Sequence, residues 1–220
     1  MKSQKIIETS DGSHTIYVPE LDEHYHSVHG AVQESEHIYI RSGYDRINCN
    51  PLRIFEVGFG TGLNALLTAT RAIHDDREVY YTSLEKYPLG TDILNSLNYH
   101  EFAGSSGRKI FDLIHMSPWG TMNLIEGKFH LMKVEADMAG YTPDFPVDLV
   151  YFDAFGPDKQ PSMWTEEIFS RIAGKMKSGS ILVTYSSKGE VKRKLRTAGF
   201  EVKLLPGPPG KKEFICAKKN

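Results

Sequence analysis

Short apolar runs alternate with amphipathic stretches from residue 52 to the end of the chain. The apolar runs predict strands at Leu52–Val57, Val79–Leu84, His130–Val134, Val147–Phe152, Ser180–Tyr185, Glu201–Leu205 and Glu213–Ala217. Helical spacing of apolar positions predicts helices at Gly62–Ile73, Gly90–Asn98, Arg108–His115, Thr165–Lys175 and Gly189–Ala198. This alternation is typical of an α/β fold with helices on both faces of a mostly parallel, here seven-stranded, sheet. Only PGPPGKK joins the last two strands, so we expect the last strand to be antiparallel.

The first 50 residues have a different pattern. The stretch IIETSDGSHTIYV contains two short β-like runs around Asp11-Gly12, which predicts a hairpin. A polar, histidine-rich stretch follows and ends in a short apolar pattern. We therefore expect residues 1–50 to form an extension that packs on a main domain at residues 51–220.

Composition is that of a globular protein, since 40% of the 220 residues are hydrophobic. The apolar runs are far shorter than the ~20 residues of a membrane span, and the N-terminus turns polar after two isoleucines, unlike a secretory signal. Cys49 and Cys216 are too few for a disulfide framework or a four-thiolate metal site. These features predict a cytoplasmic location.

Charge is distributed unevenly along the chain. From Lys188 to Asn220 ten Lys and Arg stand against three Glu, a net +7, which leaves −9 for the first 187 residues of a chain with net charge −2. A basic end is a possible footprint for a polyanion. Lysines that solvate the outer face of a helix and an edge strand give the same pattern, and charge alone favours that interpretation.

A glycine-rich turn follows the first main strand, in FEVGFGTGLNALLTA. Gly58, Gly60 and Gly62 allow a sharp bend and a close approach of the backbone to a ligand. The spacing G-x-G-x-G, with Glu56 two positions ahead, differs from the dinucleotide pattern G-x-G-x-x-G and resembles the first motif of S-adenosylmethionine-dependent methyltransferases. The turn alone is equally compatible with a tight connection that binds nothing.

Acidic residues stand at the ends of the next strands. Glu85 can accept both hydrogen bonds of a ribose diol, although a surface ion pair with Lys86 is the alternative. In the methyltransferase arrangement, Asp137 would accept a hydrogen bond from the adenine amino group and Met138 would pack on the ring. Asp153 ends the fourth strand, in DLVYFDAFGPDKQPSMW. Such an acid needs a partner, or else it caps the helix near Trp164 or bonds the following turn.

Five segments together resemble the methyltransferase half of the bifunctional MnmC proteins and its stand-alone relatives. They are GFGTGLN, SLEKYPL, VYFDAFGPDKQPSMWT, YSSKGEVKRKLRTAGFEV and GPPGKKEFICA, and the resemblance covers roughly residues 25–217. It implies a Rossmann-like class I methyltransferase fold and the terminal methylation of 5-methylaminomethyl-2-thiouridine at the wobble position of tRNA. It also implies that the aminomethyl substrate comes from a separate enzyme or from another branch of the pathway, because 220 residues leave no space for the flavin-dependent domain of the bifunctional proteins.

The resemblance assigns roles to individual residues. Asp153 would be catalytic, either as a general base that takes a proton from the acceptor amine or as a group that only orients the amine; orientation with partial base character is favoured. S-adenosylmethionine would be bound by Glu56, Gly58, Phe59, Gly60, Thr61, Gly62, Asn64, Glu85, Lys86, Asp137, Met138 and Asp153. The anticodon arm would be bound by Tyr25, His29, Gln33, Phe155, Gly156, Pro157, Lys188, Lys192, Arg193, Lys211 and Lys212.

Three further hypotheses follow from the residues themselves. His24, His26 and His29 imitate a metal-ligand spacing, but methyl transfer from a sulfonium needs no metal, so we expect none. A fold does not fix a substrate, so a small-molecule N- or O-methyltransferase is the alternative enzyme. A non-catalytic nucleoside-binding or RNA-binding module is the alternative of another class, and the retained acids at the strand ends argue against it.

Overall fold

The computed structural model describes residues 4–220, so that residues 1–3 of the predicted extension lie outside the described part. The strands are β1 Lys5–Glu8, β2 His14–Val18, β3 Glu23–His24, β4 Leu52–Val57, β5 Val79–Glu85, β6 Met122–Glu126, β7 Phe129–Glu135, β8 Val147–Phe152, β9 Met176–Thr184, β10 Phe200–Pro206 and β11 Glu213–Lys219. The helices are α1 Ala31–Ser35, α2 Leu63–His74, α3 Thr91–Leu94, α4 Gly107–Met116, α5 Glu166–Ala173 and α6 Gly189–Thr197. Within this range, no helix combines the length and the apolar character needed to cross a membrane.

The main sheet has the strand order β10-β11-β9-β8-β4-β5-β7-β6. Strands β4, β5, β7, β8 and β9 run parallel, and β11 pairs antiparallel with both β9 and β10. The predicted Rossmann-like α/β architecture and the antiparallel last strand are therefore confirmed.

The prediction of seven strands is wrong, because the main sheet has eight within residues 4–220. The missed strand, β6, forms a hairpin with β7 at the sheet edge. Its burial pattern is irregular and Leu124 is 61% exposed, so the stretch carries neither a continuous apolar run nor a clean alternation. Only Ile125 of this edge strand is buried, and a strand that is largely exposed on both faces gives little periodic signal.

Burial on both faces explains the apolar strands at the centre. In β8 every residue except Asp148 is buried, and that carboxylate accepts the backbone N–H of Arg53 at 2.9 Å. One face packs against α2, α4 and residues 31–44, and the other packs against α5 and α6. Parallel strands covered by helices on both faces have the near-continuous apolar runs seen in the sequence.

The N-terminal segment forms a three-stranded antiparallel sheet and then a helix. The β1–β2 pairing around residues 9–13 confirms the predicted hairpin, to which β3 adds a third, two-residue strand. Helix α1 continues as a π-helix over Glu36–Arg41, and Ile38, Tyr39 and Ile40 are buried in the same core as β4 and α2. Residues 31–41 thus pack against the main sheet beside the carboxyl ends of its central strands.

Candidate active site

A cavity of about 860 Å³ opens where the central strands end. Its walls come from the ends of β4, β5, β7, β8 and β9, together with residues 23–28 and 34 of the N-terminal segment. Chain order reverses between β4 and β8, since β5 and β9 lie on opposite sides of that pair. Ligands of open α/β sheets bind at such switch points, outside the carboxyl ends of the strands.

The turn between β4 and α2 has a backbone that only glycine adopts without strain. Gly58, Gly60 and Gly62 have φ values of 96°, 50° and 74°. A Cβ on Gly58 would lie 2.6 Å from the carbonyl oxygen of Asp153, and one on Gly60 would lie 3.0 Å from the Tyr25 ring. Gly58, Phe59 and Gly60 line the cavity, so the backbone itself forms part of its wall.

Glu85 is fixed at the end of β5 by two backbone amides. Its Oε2 accepts the N–H of Gly60 at 3.0 Å, and its Oε1 accepts the N–H of Tyr87 at 2.9 Å. The carboxylate lines the cavity and keeps further lone pairs for a ligand. The structure therefore brings the glycine turn and the predicted ribose-binding acid into direct contact.

Asp137 is engaged differently. Its Oδ2 lies 2.7 Å from Lys86 Nζ, and its Oδ1 accepts the N–H of Ala139 at 2.9 Å. The hydrogen bond from Lys86 lowers the pKa of Asp137. Lys86 and Met138 line the cavity, but Asp137 is not among the lining residues. Its contact with adenine stays a prediction, and it requires the carboxylate to accept a further donor beside Lys86.

Asp153 is held by a hydrogen-bond network of buried side chains. Its Oδ1 accepts from the hydroxyl of Tyr39 at 2.6 Å, and its Oδ2 accepts from Asn64 Nδ2 at 2.8 Å. Asn64 Nδ2 also lies 3.1 Å from Glu56 Oε1, and Glu56 receives a second bond from the Ser83 hydroxyl. These bonds orient the Asp153 carboxylate toward the cavity that it lines.

Burial sets the protonation behaviour of this network. Loss of solvation raises the pKa of Asp153 from 3.8 to about 7, and it raises the pKa of Glu56 from 4.5 to about 8. The helix-cap alternative for Asp153 is wrong, because Thr165 caps α5 and accepts the N–H of Ile168. A half-buried carboxylate of this kind can exchange a proton near neutral pH.

Three residues of the predicted cofactor set lie behind the cavity wall. Glu56 is completely buried and reaches the cavity only through Asn64. The Thr61 hydroxyl bonds His26 Nε2 at 2.7 Å, and Gly62 precedes the first residue of α2. None of the three is a lining residue, so their contribution is to hold the turn and the Asp153 network in place.

The residues predicted to bind the anticodon arm separate into two groups. Tyr25 and Phe155 meet edge to face with ring centroids 5.0 Å apart, and they line the cavity together with Gly156, Pro157, Lys188 and Lys211. Lys188 pairs with Asp158. His29, Gln33, Lys192, Arg193 and Lys212 do not line it. Any contact of these five residues with a substrate would be made outside the cavity.

The three histidines of the metal hypothesis do not converge. His24 packs on Tyr17 with ring centroids 4.9 Å apart, His26 bonds Thr61, and His29 lies against Gly210. Burial lowers the pKa of His26 to about 4. Across residues 4–220, no group of three or more His, Cys, Asp or Glu side chains is placed to hold a metal ion.

Sequence reasoning missed three residues of this site: Glu34, Tyr39 and Tyr185. Glu34 and Tyr185 line the cavity, and Tyr39 reaches Asp153 from the π-helix. The Tyr185 hydroxyl donates to the carbonyl oxygen of Ala154 at 2.9 Å. The apolar pattern HIYI indicated burial of Tyr39, but only the fold shows that its hydroxyl meets a residue 114 positions away.

Comparison with known proteins bears on the fold and the family. Residues 121–220 match a family described as S-adenosyl-L-methionine-dependent methyltransferase. The chain is 31% identical over 204 residues to the tRNA 5-methylaminomethyl-2-thiouridine biosynthesis bifunctional protein MnmC of Pseudomonas putida (strain GB-1), covering 86% of this chain and 31% of that protein. It is 32% identical over 174 residues to the same-named protein of Campylobacter hominis, covering 78% of this chain and 26% of that one.

Among solved structures, MnmC2 from Aquifex aeolicus superposes with a TM-score of 0.83 at 26% identity, over 100% of this chain and 71% of that one. A spermidine synthase from Thermotoga maritima has a TM-score of 0.57 at 14% identity, over 100% of this chain and 71% of its own, which shows a shared fold alone. The chain spans about a third of the length of the first curated relatives that it matches.

Proposed function

We propose that the chain is a methyltransferase domain of the MnmC kind and that it methylates the primary amine of 5-aminomethyl-2-thiouridine at the wobble position of tRNA. The observation that carries the proposal is the Asp153 network at the switch point of the sheet. A carboxylate held by Tyr39 and Asn64, with its pKa raised to about 7, faces a cavity beside a glycine turn. This arrangement suits an acceptor that must lose a proton before it reacts.

The residues present fit S-adenosylmethionine. Gly58 and Gly60 have no room for side chains and form part of the wall, and Glu85 stands beside them with free lone pairs. Buried Met138 offers an apolar surface to a flat ring on the same side. When bound, this cofactor supplies a methyl group carried on a sulfonium.

In the proposed reaction, Asp153 accepts an N–H bond of the acceptor ammonium and takes its proton, directly or through one water. That leaves the nitrogen lone pair free to take the methyl group, which S-adenosylmethionine would supply from its sulfonium with the electron pair of the broken C–S bond left on sulfur. The product is a secondary ammonium, and one proton is released to solvent. The Asp153 carboxylate contributes orientation as well as basicity, because Tyr39 and Asn64 fix its position.

The wobble uridine of tRNA lies in a single-stranded loop, whose bases can be splayed into protein pockets. Tyr25 and Phe155 would wall the base. Lys192, Arg193 and Lys212 are placed outside the cavity, where they would meet phosphates of the anticodon arm. A separate enzyme would supply the aminomethyl intermediate, and the reaction would take place in the cytoplasm, where tRNA is modified.

A small-molecule N- or O-methyltransferase is the second candidate, because the cavity also suits a free nucleoside. Incubation of the purified protein with methyl-labelled S-adenosylmethionine distinguishes the two. We expect label in tRNA that carries 5-aminomethyl-2-thiouridine and none in the free nucleoside at the same concentration. Transfer to the free nucleoside at an equal rate would favour the small-molecule reaction.

A further inference from the structure

Glu34 is a buried carboxylate in the wall of the cavity. The residue is 8% exposed, and it lines the same cavity as Asp153. It lies on α1 of the N-terminal segment, five positions before Tyr39, whose hydroxyl holds Asp153. One continuous helical stretch therefore brings both Glu34 and the Asp153 partner to this site.

The hydrogen bonding of Glu34 is incomplete for a buried charge. Its Oε2 accepts the N–H of Ser27 at 3.0 Å. Its Oε1 lies 3.4 Å from Lys211 Nζ, beyond the roughly 2.7–2.9 Å of a charge-assisted hydrogen bond. A carboxylate offers about four lone-pair sites, so the group keeps acceptor capacity toward the cavity. Buried carboxylates that serve structure alone are normally fully paired.

The neighbours of Glu34 tie it electrostatically to Asp153. Lys211 Nζ lies 4.6 Å from the centroid of the Tyr185 ring, and Tyr185 bonds the residue that follows Asp153. Burial is the main cause of the raised pKa values of Asp153 and Tyr185; the Glu34 charge raises both pKa values further, while Lys211 lowers that of Asp153. These side chains therefore share one electrostatic environment.

We propose that Glu34 is a specificity-determining residue that, together with Asp153, selects an acceptor entering the cavity as a primary ammonium. In the absence of the acceptor, Lys211 is the counter-ion of Glu34. Two carboxylates facing one cavity favour a cation with several N–H donors over a neutral hydroxyl of the same size. The inference rests on the proposed function for the identity of the acceptor, and it deepens that function by naming what recognises the amine.

The test compares two anticodon stem-loops that differ at one group. One carries 5-aminomethyl-2-thiouridine and the other carries 5-hydroxymethyl-2-thiouridine. Binding is measured with S-adenosylhomocysteine present, so that no transfer takes place. We expect the parent to prefer the amine, and Glu34→Gln to reduce the preference by roughly 10- to 100-fold, the value of one charge-assisted hydrogen bond. Glu36→Gln is the matched control, because Glu36 lies next to α1 and does not line the cavity.

The Lys211→Met variant distinguishes recognition of the amine by Glu34 from a structural role of the Glu34–Lys211 ion pair. If Glu34 recognises the amine, this variant keeps the preference. If Glu34 only positions Lys211, then Lys211→Met loses the amine preference to the same extent as Glu34→Gln, and the proposal is overturned. A parent that binds both stem-loops equally also overturns it. If Glu34→Gln does not fold, the preference for the amine over the hydroxyl is measured in Asp153→Asn instead. The proposal requires part of this preference to remain in Asp153→Asn, because Glu34 is still present there, and its complete loss would overturn the proposal.

Failure of this inference differs from failure of the proposed function. Turnover of the aminomethyl stem-loop by the parent reports the function. Normal turnover with an unchanged amine preference in Glu34→Gln overturns the role of Glu34 alone. An amine preference that depends on Glu34, without any turnover, contradicts the proposed reaction and supports the role of Glu34.

Discussion

Replacing Asp153 by Asn should make the unliganded protein more stable at pH 8 while it abolishes most of the activity. Asn keeps the size of the side chain, and it retains one acceptor for either Tyr39 or Asn64. It removes the charge and the capacity to take a proton. A residue selected for catalysis in a desolvated site is expected to oppose stability in this way.

The magnitude follows from the pKa of Asp153, which burial raises from 3.8 to about 7. A raised pKa means that the folded state holds a proton that the unfolded state has lost between these two pH values. The associated stability is fully present below pH 3.8 and is lost as the pH rises through about 7. At ~1.4 kcal/mol per pKa unit the loss is at most about 4 kcal/mol, and weaker hydrogen bonds to Asn leave an expected gain of about 1–4 kcal/mol at pH 8.

Thermal unfolding of the parent and of Asp153→Asn from pH 5 to pH 9 measures this effect. The difference in Tm should grow with pH up to about pH 7 and then level off, at ~2–4 °C per kcal/mol for a chain of this size. Asp92→Asn, at an exposed carboxylate on α3, is the control for loss of charge alone. Turnover should fall by roughly 10²–10⁴-fold. A variant that is less stable at every pH and turns over like the parent would show that Asp153 has a structural role and no catalytic one.

Three further predictions concern the surroundings of Asp153, the cofactor and tRNA. Tyr39→Phe removes a hydrogen bond that lowers the pKa of Asp153, so the rising limb of the pH–rate profile should move up by about 1–2 units; an unchanged midpoint would contradict this. Glu85→Ala should weaken S-adenosylmethionine binding by roughly 1–3 kcal/mol in calorimetry, and Asp137→Ala should weaken it less, because Asp137 already pairs with Lys86; equal affinity of Glu85→Ala and the parent would contradict the ribose assignment. Charge reversal at Lys192 and Arg193 should raise KM for tRNA, leave cofactor affinity unchanged and reduce the salt dependence of the reaction. An unchanged KM would show that tRNA does not contact these two residues.

Much of the fold was predictable because its central strands are buried on both faces. Apolar runs interrupted by only one or two charged residues predicted the bounds of β4 and β8 to the residue. Helix α3 is shorter than the predicted Gly90–Asn98, since it ends at Leu94. Asn98 instead bonds the N–H of His14 and the carbonyl oxygen of Gly12, and so fastens the N-terminal hairpin. Such a tertiary contact has no signature in local periodicity.

The site residues that lie at the ends of strands were predictable from the sequence. Parallel strands end at one edge of the sheet, so Glu85 and Asp153 had to lie near the glycine turn. Glu34 could not be found in this way, because it stands in a polar stretch that has no strand to position it. Lys211 was assigned to the RNA from its charge, whereas the fold places it against Glu34 and Tyr185 inside the cavity. Charge along a sequence does not show which side of a loop a side chain occupies.

The most direct test of the central claim is mass spectrometry of nucleosides from tRNA of a strain that lacks this gene. We expect 5-aminomethyl-2-thiouridine to accumulate and 5-methylaminomethyl-2-thiouridine to fall by the same amount. The parent gene should restore 5-methylaminomethyl-2-thiouridine, whereas the gene for Asp153→Asn should not. Wobble nucleosides that are unchanged by the deletion would contradict the account.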